Sequence, residues 1–124
     1  MNAYSTAYHD LTSRSSTKSA RDAEGEVILL VTRRLKNAWS KRGEDFPKYT
    51  EALHDNRKLW SIFAADVLTK DNALPLELKS KISYLAEFVR DYSSKALRDG
   101  RTIEPLLELN LAVLRGLSQA GKKT

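Results

Sequence analysis

Two histidines, His9 and His54, are the only imidazoles in the 124 residues, and there is no cysteine. His54 precedes Asp55, but neighbours on a helix point roughly 100° apart, so the pair cannot chelate one ion. No second histidine stands four residues from either one, and no metal-ligand spacing appears. Without cysteine, thiolate zinc sites, disulfides and a thiol nucleophile are all excluded. No serine sits in a nucleophile-elbow context. Gly116-Leu117-Ser118-Gln119-Ala120-Gly121-Lys122 matches the first seven positions of a phosphate-binding loop, yet position 123 is Lys where a Mg²⁺-holding Ser or Thr is needed. That loop must also lead from a strand into a helix, and here a helical pattern precedes it. The expectation is no enzyme, no cofactor, no metal and no small-molecule substrate.

What remains is chemistry of binding. Asn56 and Asn110 interrupt otherwise apolar seams. A buried amide needs partners or costs on the order of 1–3 kcal/mol. Each either fixes helix register or meets the backbone of a partner. The basic run Arg33, Arg34, Lys36, Lys41 and Arg42 can contact phosphates, or can be a solvated helix face. Trp39 and Trp60 fall at or beside the core stripes, so the stacking platform of a single-strand RNA binder is not evident.

The elements that must position these groups are helices. Gly43, Gly100 and Gly121 follow helix-like segments, where a left-handed cap residue is wanted. Pro47, Pro75 and Pro105 fall in first turns. Ser19 with Asp22 forms a loose capping box, and Asp45 and Thr102 are N-cap candidates. This punctuation predicts helices over about 20–42, 46–70, 75–99 and 103–119. The seams agree: Ile28, Val31, Leu35, Ala38; then Tyr49, Leu53, Asn56, Trp60, Phe63, Val67; then Leu78, Ile82, Leu85, Val89, Tyr92, Ala96; then Ile103, Leu106, Asn110, Val113, Leu117. Short connections favour antiparallel neighbours. The expected fold is all-α, an up-down bundle of about four helices over residues 19–120. A short helical or disordered arm (1–18) precedes it and a basic tail (121–124) follows. In the arm, Tyr4, Tyr8 and Leu11 sit at i, i+4 and i+7, and the stretch Thr12 to Ser19 reads as a linker. The arm either packs loosely on the bundle or covers an apolar groove that a partner otherwise fills.

The last helix is unusually apolar, with a second stripe at Leu107, Leu111 and Leu114 besides Leu109. Such coverage belongs to a central helix or to an exposed groove that takes a client helix. The net charge is +5 and the basic excess lies in the first third: residues 1–43 carry 8 Lys/Arg against 4 Asp/Glu, net +4. This polarity is mild. The longest aliphatic run, Val27 to Val31, is far short of the about 20 residues that span a bilayer, and residues 1–19 contain no signal-like apolar stretch. A cytoplasmic protein is expected, with no membrane insertion.

Several segments in order carry a family likeness: Asn2-Ala3-Tyr4, Thr32-Arg33-Arg34-Leu35, Ala52 to Trp60, Ala64-Ala65-Asp66-Val67, Asn72-Ala73-Leu74-Pro75, Ile82 to Phe88, and Leu109 to Leu117. Together they resemble the FlaF family of flagellar regulators and export chaperones of alphaproteobacteria, across residues 2 to about 117. The resemblance implies a non-enzymatic protein that binds flagellin and promotes its synthesis and export, opposing the translational regulator FlbT. It also implies a role like that of the chaperone FliS, which this chain resembles only in outline. Candidate partner-binding residues are Tyr4, Tyr8, His54, Asn56, Arg57, Trp60, Leu107, Asn110, Leu111 and Leu114, forming a groove from the last helix and the His54–Trp60 face. The rival expectations are binding of flagellin messenger RNA through Arg33, Arg34, Lys36, Lys41 and Arg42, and a structural partnership with FlbT.

Overall fold

A computed structural model describes residues 20–69 and 75–122, with the side chains of 20–22 and 117–122 outside the description. Four helices fill these residues: α1 (Ala20–Ser40), α2 (Phe46–Val67), α3 (Leu76–Asp99) and α4 (Glu104–Lys122). No strand occurs among the described residues. The expected helices are all present, with ends shifted by a few residues.

The punctuation acts unevenly. Asp45 caps α2, its carboxylate accepting from the Lys48 backbone N–H at 3.2 Å, with Pro47 in the first turn. Thr102 Oγ1 accepts from the Glu104 N–H at 3.2 Å at the start of α4. Pro75 is the N-cap of α3 rather than a residue of its first turn. Gly100 ends α3 in the left-handed region, φ 74°, where a Cβ is strained. Gly43 lies in a turn with ordinary φ, and Gly121 lies inside α4, so neither is the cap expected of it. Ser19 lies outside the described residues.

Tight local contacts hold the two visible turns. Arg42 lies over the Trp39 ring, 3.5 Å from its centroid, and donates to the Trp39 carbonyl at 2.8 Å. Trp39 in turn meets Tyr49 edge-on at 5.4 Å. At the other visible turn, Tyr92 OH donates to the Thr102 carbonyl at 2.5 Å. The Arg101 guanidinium pairs with Asp99 and holds that carboxyl down to about 2.

The helices run up and down in a ring. α1 packs on α2 and on α4, and α2 packs on α3, while α3 and α4 meet along only a short stretch. Every expected seam residue of α1 and α2 is buried, as are Ile82, Val89, Ala96, Ile103, Leu106, Asn110 and Val113; Leu78, Leu85 and Tyr92 are half-buried. Leu117 lies outside the described side chains. Ala23, Val27, Ala52, Leu59 and Leu107 add to the core off the seams.

Candidate partner-binding groove

Asn110 sits at the centre of the bundle with no exposed surface. Its Nδ2 donates to Thr32 Oγ1 at 2.9 Å and to Asn56 Oδ1 at 2.8 Å, and its Oδ1 accepts from Trp60 Nε1 at 2.8 Å. Thr32 Oγ1 in turn donates to the Ile28 carbonyl at 2.6 Å. One amide thereby ties α1, α2 and α4 together, and three of its four hydrogen-bonding positions are used. Asn56 Nδ2 is left without a partner beside this network.

That geometry corrects the expectation that Asn56, Trp60 and Asn110 touch a partner. They are 0%, 2% and 0% exposed and bond one another, so a docked chain cannot reach them while the helices are closed. Leu107 is likewise buried, and Leu114 is half-buried against the core. A Cβ placed on Gly25 of α1 would lie 3.5 Å from Leu114 Cδ2, so the two helices approach closely here. Of the second apolar stripe only Leu111 is open, at 43% exposure.

Nor do the candidates form one face. His54 and Arg57 line a cleft of about 330 Å³ between α2 and α3 with Lys58, Ser61 and Arg90. That cleft is cationic and is not continuous with Leu111 on α4. Tyr4 and Tyr8 lie outside the described residues. The basic candidates Arg33, Arg34, Lys36, Lys41 and Arg42 are all exposed. Arg34 and Lys41, however, share their pocket of about 590 Å³ with Glu44, Asp45, Glu51 and Asp55. Burial, followed by the neighbouring Glu51 carboxylate, pushes the Asp55 carboxyl above its ordinary value. Trp39 is half-buried, with Arg42 over its ring and Tyr49 edge-on against it.

The apolar opening is elsewhere, where α3 and α4 diverge. Tyr84, Leu85 and Phe88 of α3 face Pro105, Leu109 and Ala112 of α4 across a cleft of about 630 Å³, with Glu108 and Arg115 beside them. Tyr84 is 76% exposed and Phe88 39%, and Phe88 stacks on Tyr92 at 5.5 Å. Large aromatic surface left open between two helices is the geometry that takes a third, amphipathic helix. Sequence reasoning weighed Leu109 only as part of the apolar coverage of the last helix and did not nominate Tyr84, Leu85, Phe88 or Ala112 as candidate partner-binding residues. A signal was present: Tyr84 and Phe88 are four apart and off the Ile82–Val89 seam, two aromatic residues on a face that should be polar.

For catalysis, residues 116–122 are α-helical, so their amides do not wrap a phosphate. No group of three or more His, Cys, Asp or Glu that could hold a metal occurs among the described residues, and no helix there is long and apolar enough to cross a membrane.

A family model described as flagellar protein FlaF matches residues 4–117. No curated protein matches, and no solved structure matches.

Proposed function

The chain belongs to the flagellar protein FlaF family, and on that premise we propose that it is a flagellin-binding chaperone whose client helix lies in the α3–α4 groove. The observation that carries this reading is the open aromatic wall of Tyr84 and Phe88 facing Leu109 across a gap the bundle leaves unfilled. A helix bringing apolar side chains at i, i+3 or i+4 and i+7 buries that wall and its own sticky face together. Covering such a face keeps an unassembled flagellin from aggregating and hands it to export. Promotion of flagellin synthesis then follows indirectly, as export relieves accumulation.

Two observations favour a protein client over an RNA. The α1–α2 pocket that holds Arg34 and Lys41 is interleaved with four carboxylates, which repel phosphate. On that side Arg42 lies over the Trp39 ring, and Phe46 packs edge-on against Tyr49.

The test is co-purification with flagellin at low and high salt, with nuclease present. A salt-tolerant, nuclease-resistant complex is expected. It should be lost in the Tyr84→Asp, Phe88→Asp double variant and retained in the Arg33→Glu, Arg34→Glu variant. Recovery of nuclease-sensitive RNA in place of flagellin, lost in the arginine variant, would sink the chaperone reading. Recovery of FlbT without flagellin would replace it with a regulator-binding role.

A further inference from the structure

We propose that the pocket between α1 and α2 is a second docking site, which receives an arginine side chain of a protein partner with its guanidinium on the Asp55 carboxylate. The pocket shares no lining residue with the α3–α4 groove, and it stands or falls independently of the flagellin reading.

The pocket has a rim and a floor. Arg34 and Asn37 of α1, Lys48 and Glu51 of α2, and the turn between the two helices form an exposed polar rim. The floor is Ala38, Ala52 and Asp55, all buried. Ala52 and Asp55 are three apart, so they share one face of α2. The alanines are short and leave a hollow of about 590 Å³ above the floor.

Charge singles out Asp55. The rim carries three cations, Arg34, Lys41 and Lys48, against three carboxylates, Glu44, Asp45 and Glu51, which is a formal balance. The fourth carboxylate is left over at the bottom. Asp55 is only 7% exposed, and its Oδ1 has no hydrogen-bond partner among the described residues. A buried acceptor without a donor works against the fold, and a donor arriving there recovers that cost. The same deficit holds the Asp55 carboxyl above its ordinary value, burial being the main cause.

The identity of the donor follows from the walls. No group of three or more His, Cys, Asp or Glu that could hold a metal occurs among the described residues, so the carboxylates do not converge as a compact ion requires. An ammonium is strongly hydrated and gives up its water for a strong field, which a balanced rim does not supply. A guanidinium is planar and weakly hydrated, and it engages one carboxylate through two parallel N–H bonds. It keeps further donors for the rim, where the Glu51 carboxylate and the Asn37 amide oxygen accept. Its apolar stem lies along Ala38 and Ala52. The charged ends of a free arginine would meet only the balanced rim, whereas a side chain on a polypeptide brings a backbone that rests on it.

The experiment titrates the peptide acetyl-Ala-Arg-Ala-amide into the full-length protein and follows the backbone amide resonances. Those of Ala38, Ala52 and Asp55 should shift and saturate, with a midpoint of roughly 1 mM, while those of Tyr84 and Phe88 stay put. The same peptide carrying citrulline, a neutral isostere of arginine, should bind at least about tenfold more weakly. So should the arginine peptide on Asp55→Asn, a variant of the same shape whose folding a thermal melt checks. Arg34→Gln removes a competing cation and should tighten binding by up to about fivefold. No shift at the floor residues would overturn the proposal, as would equal binding by the citrulline peptide or by Asp55→Asn. Weaker binding to Arg34→Gln would overturn the placement of the guanidinium on Asp55. Free arginine binding more tightly than the peptide would overturn the protein partner and make the pocket a small-molecule site.

Discussion

α4 shows two different faces to its two neighbours. Toward α1 it is closed: Leu114 rests on Gly25, and Asn110 holds Thr32. Toward α3 it is open, with Leu109 and Ala112 across a cleft from Tyr84 and Phe88. Both faces carry apolar residues, and what stands opposite them differs. A glycine and a hydroxyl let α1 come close. On α3 the large rings of Tyr84 and Phe88 leave much of their own surface uncovered. Closure is therefore a property of the pair of faces, and an apolar helix surface alone does not determine whether it becomes core or interface.

The largest expected effect breaks the closed face. Asn110→Leu strips partners from Trp60 Nε1 and Asn56 Oδ1 in a site without water access, and should cost about 3 kcal/mol in denaturant unfolding. A neutral result would mean that the amide does not hold the register. Gly25→Ala sharpens the same face in the other direction. The new methyl meets Leu114 at ordinary contact distance, and α1 gains helix propensity, so unfolding should shift by about 0.5–1 kcal/mol toward greater stability.

A smaller change comes from Asp55, away from both faces. Its folded-state carboxyl value is raised, so the fold favours the protonated form, and ionisation at neutral pH works against folding. Asp55→Asn should raise the melting temperature at pH 7. That advantage should shrink as the pH falls through the raised value and vanish below the ordinary 3.8. The smallest effect belongs to the open face. Phe88→Ala should alter stability by less than about 0.5 kcal/mol, because surface positions contribute little to folding. It should still weaken flagellin capture measurably. A Phe88→Ala variant that unfolds like a core mutant would place the ring inside the fold and close the groove.

The seams of α1 and α2 were legible in the sequence because burial there follows a 3.6-residue rhythm, and every seam residue proved buried. The family was legible too, from ordered segments spread over the chain. Asn56 and Asn110 were visible as seam interruptions, but their mutual bond was not. It joins residues 54 apart, and nothing local encodes which amide meets which. The surroundings of the candidate residues were hidden for the same reason. Leu107, Leu111 and Leu114 form one stripe along the sequence, yet the close approach of α1 absorbs Leu107 and Leu114 and leaves only Leu111 outside. His54 and Arg57 face α3, a choice set by the order of the helices around the ring. Gly121 misled because a glycine in the last turn of a helix and a glycine that caps it look alike without the dihedral angles.

The polar tie through Asn110 reaches α1, α2 and α4 and leaves out α3. The consequence concerns cooperativity. Three helices are bolted through a single amide, and the fourth is attached mainly along its side against α2. The free energy of opening should therefore be graded across the molecule, with α3 the first unit to detach and its amides the first to exchange with solvent.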